Sequence, residues 1–140
     1  MLTATLHLPP QTASVPQARR FVLHCLAEWG MEHLCETTAL LVSEVVSNAV
    51  LHARSEIVVT AAVGSGAVEV RVSDRSQVTP VQRRHSSDAT TGRGVQLLDQ
   101  LAHSWDVLPE AGGKTVRFTV EGGADPWAAF RDGVWEDAEL

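Results

Sequence analysis

Glu44-Val45-Val46-Ser47-Asn48-Ala49-Val50-Leu51-His52 lies inside a strongly apolar helical pattern, yet it carries three polar side chains in step. Glu44, Asn48 and His52 fall at i, i+4 and i+8, so they stack along one face of a helix whose other faces belong to a core. A carboxylate and a carboxamide one turn apart, flanked by apolar residues, can hold a hydrated metal and orient a nucleophile. The same spacing also describes the solvated stripe of an ordinary amphipathic helix. What stands on either side of the stretch separates the two.

Downstream, residues 56–63 and 67–73 alternate apolar and polar positions about the turn Gly64-Ser65-Gly66, the pattern of an antiparallel hairpin, and the second run ends directly in Asp74. Residues 75–91 lack periodicity, and a loop of that length in a compact domain is usually functional or disordered. Thr91-Gly92-Arg93-Gly94 then leads into an apolar-periodic segment, predicting a glycine turn and a short helix over 94–102. Runs at 104–108 and 114–120 read as closing strands, with Gly113 just before the last and Lys114-Thr115 opening it. Upstream, Leu2, Ala4, Leu6 and Leu8 alternate with polar residues until Pro9-Pro10 ends the strand. Ser14 suits an N-cap for a helix over 16–29 that Gly30 stops, with Ala18, Phe21, Val22, Cys25, Leu26 and Trp29 as its apolar stripe. The helix carrying Glu44 spans 35–53.

This order of a Glu-x-x-x-Asn helix, a strand ending in Asp, a glycine turn before a helix and a final strand with Gly and Thr resembles the GHKL or Bergerat ATP-binding fold. Within that superfamily, Ala18-Arg19-Arg20-Phe21, Glu28-Trp29-Gly30 and Leu41-Val42-Ser43-Glu44 resemble the small actinobacterial regulators related to anti-sigma-factor serine kinases. The resemblance covers residues 6–120 and implies an α+β fold: a two-layer α/β sandwich with a mixed, mostly antiparallel sheet and helices on one face.

It also implies roles for particular residues. Asp74 would accept a hydrogen bond from the adenine amino group, assisted by Thr115, and Gly92, Arg93 and Gly94 would meet the phosphates. Asn48 would carry Mg²⁺ through its side-chain oxygen, and Glu44 would serve as general base toward an incoming hydroxyl. The implied function is an ATP-dependent serine/threonine protein kinase acting on an anti-anti-sigma (STAS-type) partner and holding a sigma factor. The superfamily usually shows Asp-x-Gly-x-Gly, whereas this chain has Asp74-Arg75-Ser76-Gln77-Val78, which restricts backbone approach to a ligand. The alternative is therefore a nucleotide-binding module that regulates transcription by docking without phosphoryl transfer. The ATPase half of a split histidine kinase is a third possibility, disfavoured because the chain shows no phospho-acceptor helix.

Composition narrows the setting. The chain has 140 residues, 44% hydrophobic and 20% charged, enough for one core. The resemblance implies an ATP-binding domain at 1–120, leaving an acidic extension at 121–140, where six acids against Arg131 alone account for −5 of the net −6. That balance argues against a nucleic-acid partner. Asp125-Pro126 can open a helix whose Trp127, Phe130, Val134 and Trp135 form an aromatic stripe able to dock on its own domain, on a second copy, as in a homodimer, or on a regulatory partner. No membrane span or signal peptide is evident, so the expected location is cytoplasmic, with Cys25 and Cys35 reduced. His24, Cys25, His33 and Cys35 match no standard zinc spacing.

Overall fold

The computed structural model describes residues 2–52, 55–75 and 89–122, the last with side chains from residue 95 onward. Its elements follow in the order β1 (Leu2–Leu8), α1 (Ser14–Glu28), a 3-10 turn at Glu32–Leu34, α2 (Cys35–His52), β2 (Ile57–Gly64), β3 (Ala67–Asp74), α3 (Ala89–Leu101), β4 (Ser104–Glu110) and β5 (Gly113–Glu121). The strands form one sheet in the order β1-β2-β3-β5-β4, so β4 lies at an edge and β5 is inserted beside β3. The expectation of a mixed sheet is refined: all four pairings among the described strands are antiparallel.

Period-two burial shows which sheet face carries the core. Ile57, Val59, Ala61 and Val63 of β2, Val68, Val70 and Val72 of β3, and Val116, Phe118 and Val120 of β5 are buried, and the strand register sets them side by side. Each large side chain so buried contributes roughly 1.5–3 kcal/mol. The alternate positions, among them Thr5, Thr60, Arg71, Arg117 and Ser104, form a polar outer face with pairs such as Ser104–Thr119 at 2.7 Å. Ser65 and Gly66 both have positive φ (55° and 77°), the geometry of a type I′ turn, whose twist suits the β2–β3 hairpin.

The helices cover the core face. α1 buries Ala18, Val22, Cys25 and Leu26, with Phe21 and Trp29 packed at the margin. Gly30, at φ 72°, ends it: the Met31 N–H bonds Leu26 O at 2.8 Å and the Gly30 N–H bonds Ala27 O, the Schellman arrangement. Ser14 is not the N-cap that its residue type suggested. It begins the helix, is buried, and donates its Oγ hydrogen to Pro9 O at 2.6 Å, because the Pro9-Pro10 bend brings that carbonyl back over the first turn.

α2 is the central helix, packed against α1, α3 and the sheet. Glu32–His52 is long and apolar enough by composition to cross a membrane (mean hydropathy 1.4), contrary to the expectation that no such run exists. Half of that segment is buried inside the domain, as a core helix touched by neighbours on several sides must be. α3 buries Val95, Leu98 and Leu101, and Asp99 Oδ1 accepts a 2.7 Å hydrogen bond from Trp105 Nε1 of β4. Of the loop expected over 75–91, residues 76–88 lie outside the described residues and 89–91 are already helical, and the helix expected in the C-terminal extension (123–140) also lies outside them.

Candidate nucleotide site

The polar stripe of α2 is buried at Glu44 and half-buried at Asn48 and His52. The helix contacts β3 and β5, the strands that carry Asp74 and Thr115. Glu44 is 8% exposed, and Asn48 follows one turn later. The Asn48 Oδ1 atom is buried and has no hydrogen-bond partner among the described residues. A buried amide oxygen without a donor costs roughly 1–3 kcal/mol, so such an atom is a candidate to meet a ligand. A hard cation bound through oxygen would supply one, so the donor fits Mg²⁺. His52 closes the stripe in the last turn of α2.

Asp74 sits at the end of β3 on the core face and is 7% exposed. Directly across the ladder stands Lys114, also 7% exposed, whose Nζ donates to both Asp74 carboxylate oxygens at 3.0 Å. Lys114 was not among the residues expected from sequence. Its signal lay in strand order, since only the insertion of β5 beside β3 brings positions 74 and 114 together. Gly113 fits where it does because it has no side chain: a Cβ there would lie 2.1 Å from Asp74 O and 2.8 Å from Arg75 Cα.

Thr115 is placed differently from its expected role. The pleat turns it to the outer face, where its hydroxyl pairs with Ser73 Oγ at 2.7 Å and donates to the Glu110 carboxylate. Asp74 and Thr115 thus occupy opposite faces of the sheet. The glycine segment also differs. α3 begins at Ala89, so Gly92, Arg93 and Gly94 lie within its first two turns rather than in a turn before it. Each helical glycine costs about 1 kcal/mol relative to alanine, which packing of the helix on α2 offsets. The free N–H groups at the start of α3 accordingly belong to residues ahead of Arg93 and Gly94.

Neither cysteine is primed for chemistry. Burial pushes the thiols of Cys25 and Cys35 upward, and Glu28 and Glu32 respectively add to it.

The central helix thus carries a carboxylate and a cation-ready amide one turn apart, and β3, which it contacts, ends in a buried acid. Such a set can bind a polar heterocycle at one end and a metal-bound anion at the other. A search of curated proteins finds no match to the chain. A family model of the histidine kinase-like ATPase domain matches residues 8–120, from the end of β1 through β5, and this family binds ATP. The chain belongs to the histidine kinase-like ATPase domain family.

Proposed function

We propose that this ATP-binding protein is a serine/threonine kinase of the anti-sigma-factor type, acting in the cytoplasm on a STAS-type anti-anti-sigma partner and holding a sigma factor. The observation that carries this reading is the pairing, one turn apart on α2, of the nearly buried Glu44 carboxylate with the unpartnered Asn48 Oδ1. When bound, ATP with Mg²⁺ supplies the phosphoryl group and compensates its charge. Asn48 offers its amide oxygen to the cation. Glu44, held on a rigid helix, accepts the proton of an incoming serine hydroxyl. Asp74 accepts a hydrogen bond from the adenine amino group and disfavours guanine, which presents a carbonyl there.

The test is transfer of radiolabelled phosphate from ATP to candidate STAS-type partners, with Glu44→Gln alongside. The expected result is transfer by the wild type, and loss of transfer with ATP affinity retained in the variant. ATP binding without transfer to any partner supports the second reading, a docking module that uses nucleotide as a signal. That reading is favoured by the Asp74–Lys114 ion pair, which occupies the acid expected to read the base.

A further inference from the structure

The Asp74–Lys114 pair sits at the end of the ladder where β3 and β5 face α2, with side-chain exposures of 2% and 8%. One ammonium bonds both carboxylate oxygens at the same distance, 3.0 Å, and so caps the tip of the acid. That tip is where an exocyclic amino group would have to arrive. The ammonium carries a full charge and the amino group does not, so for the same carboxylate the lysine is the stronger donor. Stability alone does not call for the pair, since the desolvation of two buried charges roughly cancels their attraction.

At this end of the ladder β3 and β5 are in close backbone contact, leaving no gap between them for a base. The Gly113 backbone lies so close to Asp74 and Arg75 that even a methyl group has no room. Asp74 has a short stem, whereas Lys114 has four methylenes that can carry its head toward solvent. Opening must therefore come from the lysine side chain.

We propose that Lys114 is an internal competitor for Asp74 that sets the affinity of the base subsite: adenine reaches the carboxylate only when the ammonium withdraws from it. This rests on the reading of Asp74 as the base contact. Apparent affinity then equals the intrinsic affinity scaled by the fraction of molecules in which the pair is open. Removing the ammonium favours adenine and gives guanine no advantage, because a carbonyl cannot use a freed carboxylate.

Titration calorimetry on the full chain with Mg²⁺ tests this, using ATP and GTP against wild type, Lys114→Met and Asp74→Asn. Lys114→Met should bind ATP about tenfold more tightly, as expected if the open fraction is near one in ten, with no gain for GTP. Equal or weaker ATP binding by Lys114→Met, while Asp74→Asn weakens it, overturns the competition alone. Unchanged ATP binding in Asp74→Asn rejects Asp74 as the base contact, and the proposal falls with it. Because Lys114→Met takes a counter-charge from a buried acid and can impair folding, the wild type supplies a second readout. With ¹³C-labelled lysine, the Lys114 Cε signal should move toward that of a solvated lysine as ATP saturates the protein. A signal unmoved at saturation contradicts the proposal.

Discussion

Asp74 and Lys114 lie on the core face of adjacent strands, while Ser73 and Thr115, one residue away on each strand, lie on the opposite face of the sheet. The first pair is a buried ion pair on the core face; the second is a hydroxyl pair at 2.7 Å, joined by Glu110. Nothing but the pleat separates them. A single register position thus decides whether a polar group can meet a ligand held between the layers or serves only to fasten one strand to the next.

The largest effect expected from this division is on stability. Phe118→Ala, which empties a fully buried position on the core face, should cost about 3–5 kcal/mol in urea unfolding. Thr119→Ala, its neighbour on the open face, loses the hydroxyl pair with Ser104 and should cost about 0.5–1.5 kcal/mol. Comparable losses at the two positions would break the assignment of faces. Next comes Gly113→Ala, whose Cβ must displace the Asp74–Arg75 backbone, an overpacking expected to cost about 1–3 kcal/mol and to weaken ATP binding with it.

The sharper comparison concerns ligand affinity. Asp74→Asn should weaken ATP binding by about 1–3 kcal/mol, whereas Thr115→Val, on the far face, should leave ATP affinity unchanged and lower only stability. A large loss of affinity in Thr115→Val would show that the two faces communicate. The smallest effect is chemical. With both thiols pushed up by burial, the thiolate fraction at neutral pH is low, so Cys25 and Cys35 should react with alkylating agents more slowly than a free thiol and faster as pH rises.

Much of the fold was legible because its signals are local. The alternation in β2 and β3 and the stop at Gly30 need only neighbouring residues to be read, and the structure places them where periodicity did. The Glu44–Asn48 stripe was legible for the same reason: helical spacing alone puts the two on one face. What escaped depended on tertiary placement. Lys114 became visible only once β5 was seen beside β3, and the face that Thr115 takes could not be read beforehand because its strand's register is not written in its own residues. The start of α3 was misjudged because two glycines resemble a turn, while packing on α2 extends the helix through them.

The central claim is that an adenine nucleotide binds between α2 and the β3–β5 pair, with a cation at Asn48. Calorimetry of wild type and Asn48→Ala with ATP and GTP, each with and without Mg²⁺, tests it most directly. The wild type should prefer ATP and bind it more tightly with Mg²⁺, and Asn48→Ala should lose that Mg²⁺-dependent gain. Equal affinity for ATP and GTP, or a Mg²⁺ gain that survives in Asn48→Ala, would contradict it.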